Sequence, residues 1–187
     1  MNFNFVSIPR TGSGTIHEVF NTGKFLNHSA YKDFPDKSKF SFAVIREPID
    51  RLISWYYWCV NYDSSKELYP LTFEEWVFEG CKHHWSDIKC LYSGFKNPLN
   101  QYEFVSDGTV TTIDLLYDYI YLKELIGYIA DKFGYKLNGV PKLHRSGKPD
   151  VVVTRKMRKA IQDMFPLDFS LYDKVHENRF VYKGHHI

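Results

Sequence analysis

The stretch "FVSIPRTGSGTIHEVF", Phe5–Phe20, decides how this chain reads. A short apolar run breaks at Pro9, passes Arg10, and crosses Gly12 and Gly14 before helix-forming residues begin. A strand that turns through glycines into a helix makes a ready anion site. The first-turn N–H groups lack intrahelical partners, and the helix dipole favours negative charge there. Glycine lets the backbone approach closely at positive φ, and Arg10 adds a planar, permanently charged fork suited to phosphate or sulfate. A tight turn in which both glycines serve only geometry explains the same letters equally well. Neither glycine is followed by the lysine of the nucleotide motif G-x-x-x-x-G-K-[ST].

Outward from this turn, strand and helix patterns alternate. Asn4–Ile8 reads as a buried strand and Thr15–Asn21 as the helix after it. Phe40–Ile45 is a second strand, and Pro48 opens a helix at a favourable first-turn position. There Ile49, Leu52, Ile53, Tyr56 and Val60 form one apolar stripe at helical spacing. Thr72–Phe78 carries a capping box between Thr72 and Glu75. Ile113–Ile120 reads as a third strand, Leu122–Phe133 as an amphipathic helix stopped by Gly134, and Thr154–Phe165 and Asp168–Val175 as further helices. Residues 82–105 follow no clear period. The expected fold is α/β and three-layered, a central parallel sheet covered by helices on both faces. With 187 residues and no linker or repeat, residues 1–187 read as one domain.

The bulk numbers narrow the function classes. A net charge of +2 is too small to argue for nucleic acid. Aromatic residues make up 18 % of the chain, enough for packing and for gripping flat ligands. Three cysteines, Cys59, Cys81 and Cys90, have no C-x-x-C spacing and read as free thiols of a reducing compartment. Cys81, His83, His84 and Cys90 fit no familiar zinc spacing, so no metal is expected. No basic-then-apolar leader and no run near the ~20 apolar residues of a membrane helix is present. The expectation is a soluble, cytoplasmic protein with no membrane or nucleic-acid partner.

A second stretch, "FAVIREPIDRLISWYYW", Phe42–Trp58, sets Arg46 at a strand end and Ser54 about two turns into the next helix. Ligands of open parallel sheets lie beyond the strands' carboxyl ends. Two strand-end arginines there suit a ligand with two anionic ends, against the plainer reading of an Arg46–Glu47 surface pair.

Together, "IPRTGSGT" and "VIREPIDRLISWYYW" resemble the PAPS-dependent sulfotransferases, in particular the carbohydrate branch that includes heparan sulfate 2-O-sulfotransferases. The family has a Pro-Lys-Thr-Gly-Gly-Thr-Ser type loop for the 5′-phosphosulfate and an Arg-Asp-Pro…Arg-Leu-x-Ser-x-Tyr segment for the 3′-phosphate. The resemblance implies a P-loop-like fold in which Arg10, Thr11, Gly12, Ser13, Gly14 and Thr15 hold the phosphosulfate. It gives Arg46 and Ser54 the 3′-phosphate. "DYIYLKELIGYIADKFGY" and "FPLDFSLYDKV" resemble further family segments. "VPKLHRSGKPD" resembles the loop that closes over the nucleotide, which adds Arg145, Ser146 and Gly147 as cofactor contacts. Arg10 stands where lysine is usual; it keeps the charge but does not readily give up a proton. Gly14 and Thr15 stand where the family has Thr-Ser.

Sulfuryl transfer needs a base for the acceptor hydroxyl. "LNHSAYKDF", Leu26–Phe34, resembles the family segment whose histidine is that base, which points to His28 as catalytic beside Arg10. A capping or surface histidine is the plain alternative, and His17 and Glu18 are rival bases. From Lys142 to Lys159 the chain has seven Lys/Arg and one acid, Asp150. A solvated helix face explains them, and an anionic glycan acceptor would also use them. The resemblance thus implies transfer from PAPS to a hydroxyl, with adenosine 3′,5′-bisphosphate as product and a carbohydrate as the expected acceptor. A P-loop nucleotide-dependent kinase and a non-catalytic anion or nucleic-acid binding module are the competing readings. Related eukaryotic enzymes carry a Golgi anchor, whereas this chain starts at its first strand, so a bacterial or viral source is expected.

Overall fold

A computed structural model describes residues 2–22, 28, 30–62, 71–82, 100–106, 110–137, 139 and 150–184. Four strands form one sheet among them: β1 (Phe3–Val6), β2 (Phe40–Ile45), β3 (Leu115–Asp118) and β4 (Phe180–Tyr182), in that spatial order. The first three pair in parallel, Phe3 opposite Phe40 and Ile45 opposite Asp118. β1 and β3 are buried throughout and β2 at all but its first residue, which is why they read as unbroken apolar runs instead of alternating ones. The sheet is mixed and not wholly parallel, because β4 runs antiparallel to β3.

Seven helices are described: α1 (Ser13–Phe20), α2 (Pro48–Tyr62), α3 (Phe73–Phe78), α4 (Tyr102–Val105), α5 (Leu122–Phe133), α6 (Arg155–Met164) and α7 (Pro166–Asn178). Local chemistry sets several of their ends. The Glu47 carboxylate accepts the Asp50 N–H at 2.6 Å and caps α2. Thr72 and Glu75 form a complete capping box on α3. Gly134, at φ 71°, terminates α5. Alternate residues of β2 join different cores. Phe42 and Val44 pack with Ile16 and Phe20 of α1 and with Leu122, Leu125, Ile126 and Ile129 of α5. Ala43 and Ile45 pack with Phe104, Leu171 and Val175 of α4 and α7. Each large apolar side chain buried in this way stabilises the fold by about 1.5–3 kcal/mol. A third cluster joins α2 to α3 and α6 through Trp55, Trp76, Met157 and Ile161.

Residues 113–120 are strand only from Leu115 to Asp118. The Asp118 carboxylate accepts the Ile120 N–H at 3.0 Å and turns the chain into a 3₁₀ turn, Tyr119–Tyr121. No described helix is long and apolar enough to cross a membrane.

Candidate active site

The loop between β1 and α1 holds its shape by its own hydrogen bonds and two unusual backbone angles. The Thr11 hydroxyl donates to the Ile8 carbonyl at 2.9 Å, so it closes the turn. Arg10 has φ 65° and Gly12 has φ 84°, both left-handed. For a non-glycine residue such a conformation costs of order 1–3 kcal/mol and persists where the surroundings enforce it. Glycine is required at position 12 for a second reason. A Cβ there would lie 2.6 Å from Leu122 and 3.0 Å from the Tyr119 ring. Gly12 also caps α1 without any side-chain hydrogen bond. The first-turn N–H groups of Ser13 and Gly14 precede any carbonyl four residues back within that helix.

Helix α2 crosses behind this loop and grips it. Arg51 is buried, and its Nε donates to the Pro9 carbonyl at 2.9 Å. Arg10 Nε donates to Ser54 Oγ at 3.1 Å, and its guanidinium lies 5.9 Å from the Trp58 ring. Arg46 Nη1 donates to the Arg10 carbonyl at 3.2 Å. The two strand-end arginines and Ser54 thus form one network. Arg46 Nη2 also meets Asp50 at 3.5 Å, and the guanidinium stands 4.9 Å over the Tyr119 ring. Asp50 is half-exposed, so that ion pair is weakly held. Arg46 Nε is buried and has no hydrogen-bond partner among the described residues. A buried cationic donor in that condition is a fit for an anionic ligand.

The main chain at Arg46 is held as firmly. Its N–H donates to Gln101 Oε1 at 3.0 Å, and Gln101 Nε2 donates to its carbonyl at 2.8 Å. Asp168 in turn accepts the N–H groups of Gln101 and Tyr102, each at 2.9 Å. Burial pushes the Asp168 carboxyl up to about 6, against the opposing pull of Arg51 and of those two N–H groups.

The histidines gather at the other side of the β1 exit. His28 Nδ1 lies 2.6 Å from the Ser7 carbonyl and 3.2 Å from the Ser7 hydroxyl. A carbonyl only accepts, so Nδ1 carries the proton and the lone pair sits on Nε2. His17 Nε2 lies 3.1 Å from that same hydroxyl, and its Nδ1 meets Thr22 Oγ1. Ser7 therefore links both histidines, while Glu18 is exposed on α1. Burial lowers the His28 imidazole to about 4, helped by the charges of His17 and Arg51 and opposed by the Ser7 carbonyl. His17 is lowered too, by burial. Both rings are neutral near pH 7.

A glycine-bearing strand-to-helix loop, two arginines joined through it and a neutral histidine occupy one region of the fold. The family model described as "Sulfotransferase family" matches residues 5–174, from within β1 into α7. The chain belongs to the sulfotransferase family. Membership carries sulfuryl transfer in general and makes the chain a transferase. Comparison with curated proteins and with solved structures gives no match.

In this sulfotransferase Arg10, Thr11, Gly12, Ser13, Gly14, Thr15, Arg46 and Ser54 lie together, whereas Arg145, Ser146 and Gly147 lie outside the described residues, as do His83, His84 and Cys90. Ser13, Thr15 and Ser54 are buried, and Thr11 is committed to its own turn, which leaves Thr11 only its main chain for a ligand. Sequence reasoning missed Ser7, Arg51, Gln101 and Tyr119. Ser7 and Arg51 fall inside the stretches quoted for the two loops, and Tyr119 inside "DYIYLKELIGYIADKFGY", yet none was assigned a role there. Gln101 carried no signal, since it lies in the stretch without a clear period.

Proposed function

We propose that this sulfotransferase takes its sulfuryl group from PAPS and passes it to a hydroxyl of a carbohydrate, as the enzymes resembling heparan sulfate 2-O-sulfotransferases do. The observation that carries the reading is the Arg10–Ser54–Arg46 network beside the uncapped start of α1, with Arg46 Nε buried and lacking a partner among the described residues. Main-chain N–H groups of residues 11–15 and the Arg10 guanidinium would take the 5′-phosphosulfate end. Arg46 and Ser54 would take the 3′-phosphate end, with Asp50 released to water. The Tyr119 ring under Arg46 is an aromatic face on the same side. Residues Arg145, Ser146 and Gly147 are proposed as further nucleotide contacts. We assign these roles within one domain, 1–187, of three-layer, P-loop-like architecture. Support for the layers comes from the division of β2 side chains between two helix-bearing cores. The buried Cys81 thiol, which is in no disulfide, favours a reducing, cytoplasmic setting.

PAPS supplies a sulfuryl group on a phosphate leaving group. His28 Nε2 takes the acceptor hydroxyl proton as that oxygen bonds to sulfur and the sulfur–oxygen bond to phosphate breaks. Nδ1–H stays on the Ser7 carbonyl, which fixes the tautomer and steadies the imidazolium. Arg10 neutralises charge on the departing phosphate and the α1 N-terminus does the same for the sulfuryl oxygens, so positioning and electrostatics do most of the work. The proposed glycan acceptor is favoured by the exposed basic face of α6, where Arg155, Lys156, Arg158 and Lys159 lie, of which Lys159 pairs with Asp163.

A thermal-shift comparison of adenosine 3′,5′-bisphosphate, ATP and AMP tests the donor assignment. Selective stabilisation by the bisphosphate is expected, and equal or greater stabilisation by ATP refutes it. A labelled-sulfate transfer assay on a glycan panel tests the reaction, and its signal should collapse in His28→Ala.

A further inference from the structure

Strand β2 ends at Ile45, and the parallel ladder to β3 ends with the pair Ile45–Asp118. Arg46 is the first residue beyond it and has no strand to pair with. Both of its main-chain polar groups are nevertheless satisfied by one side chain, that of Gln101, at 3.0 and 2.8 Å. A primary amide presents one acceptor and one donor side by side, so Gln101 extends the ladder by one residue where the sheet has stopped. Gln101 is fully buried. A buried amide is tolerated only when paired, and this one is paired entirely to Arg46. The turn that carries Gln101 is fixed in its own right. Asp168, buried in the first turn of α7, accepts the N–H groups of Gln101 and Tyr102. One continuous series of hydrogen bonds therefore runs from α7 through Gln101 to the backbone of Arg46.

The Arg46 side chain is only 12 % exposed, held between the Tyr119 ring and the Arg10 carbonyl. A guanidinium enclosed in that way has little rotamer freedom, so its direction follows the position of its own Cα. Charge-assisted hydrogen bonds weaken steeply when donor and acceptor are misaligned.

We propose that Gln101, braced by Asp168, is a positioning residue that aims Arg46 at the second anionic end of the donor nucleotide. This rests on the assignment of Arg46 to the 3′-phosphate. Gln101 itself touches no ligand; it acts through the Arg46 main chain.

Calorimetric titration of the full chain with adenosine 3′,5′-bisphosphate and with adenosine 5′-monophosphate tests it. Wild type, Gln101→Met and Gln101→Glu are compared at pH 8 and at pH 5.5. If Arg46 reads the extra phosphate, wild type prefers the bisphosphate by about 10–150-fold, the worth of one charge-assisted hydrogen bond. Met matches Gln in length and pairs with neither group. It should keep the monophosphate affinity and lose most of the preference. A purely stabilising role predicts a different result: a lower unfolding midpoint with both nucleotides affected alike. Gln101→Glu adds a switch. The ionised carboxylate faces the Arg46 carbonyl with no donor, whereas the neutral acid offers the same acceptor and donor as the amide, and burial raises its pKa. Its preference, relative to wild type at the same pH, should be poor at pH 8 and recover at pH 5.5. A wild-type protein with no bisphosphate preference overturns the 3′-phosphate assignment and this inference with it. A wild-type preference that survives intact in folded Gln101→Met overturns this inference alone. Should Gln101→Met fail to fold, the Glu variant decides: recovery on acidification supports the positioning role, and an unchanged preference at both pH values refutes it.

Discussion

Acidification should strip this protein of stability through one histidine, and the amount follows from the site. The unfolded-state imidazole titrates near 6.5, whereas burial lowers His28 to about 4 in the folded chain. The charges facing the ring add to the shift, Arg51 from α2 and His17 from α1, while the Ser7 carbonyl on Nδ1 opposes it. A folded pKa below the unfolded one means that the unfolded chain binds more protons between those values. Stability is then fully present above pH 6.5 and is lost as pH falls through about 4. The interval from 6.5 to about 4, at 1.36 kcal/mol per pH unit, is worth about 3 kcal/mol. About 2 kcal/mol of that is already gone at pH 5. The reference is His28→Asn, whose amide N–H keeps a donor for the Ser7 carbonyl and does not titrate. Urea unfolding of both proteins from pH 7.5 to pH 4 cancels the shared groups that do not face the ring, provided their m-values agree. The stability gap between wild type and variant should shift against wild type by about 3 kcal/mol across the range. Parallel curves, or a shift in favour of wild type, would show that the ring is solvated and that the geometry at Ser7 is wrong. The test requires neither nucleotide nor acceptor, so it probes the site without assuming the reaction.

Gly12→Ala would force a Cβ to 2.6 Å from Leu122 at φ 84°. Overpacking and backbone strain together should cost about 2 kcal/mol or more, seen as a lowered thermal unfolding midpoint. Arg46→Ala should weaken adenosine 3′,5′-bisphosphate binding by about 10–150-fold in calorimetry. Arg46→Lys should recover only part of it, since a point charge cannot reproduce the fork. In the transfer assay, kcat/KM should stay flat from pH 7 to pH 8, and the limb due to His28 should lie towards its folded value of about 4, below that of buried Asp168 at about 6. An acid limb near 6.5 instead would assign the base to a solvated histidine.

The elements that were legible in the sequence are those whose signals are local. Pro48 and Glu47 start α2, the Thr72–Glu75 box starts α3, and Gly134 stops α5, all within a turn of the boundary they set. What escaped depends on partners far along the chain. β4 is three residues long and exists because β3 offers it an edge. Gln101 sits in a stretch without periodicity, and its function depends on partners 55 and 67 residues away. Asp118 looked like one more strand residue, yet its carboxylate ends the strand by capping Ile120. The base could not be chosen by spacing, because His17 and His28 come from different segments and meet only at Ser7.

The substitution of arginine for the family's usual lysine in the loop becomes intelligible from the same geometry. On the proposed reaction, the group that departs is a phosphate whose last ionisation lies near pH 6. Such a group leaves as a stable dianion near neutral pH, so it needs positive charge and no proton. Arginine meets that need as well as lysine, and its inability to act as an acid costs the step nothing. What arginine adds is reach in two directions. Its Nε binds Ser54 on α2 while its main-chain carbonyl, turned by φ 65°, receives Arg46. A lysine at position 10 would keep the charge but give up the Nε link to Ser54. The arginine therefore ties the loop that would hold one end of the donor to the helix and strand end that would hold the other, and the spacing between the two anion sites is built into one residue.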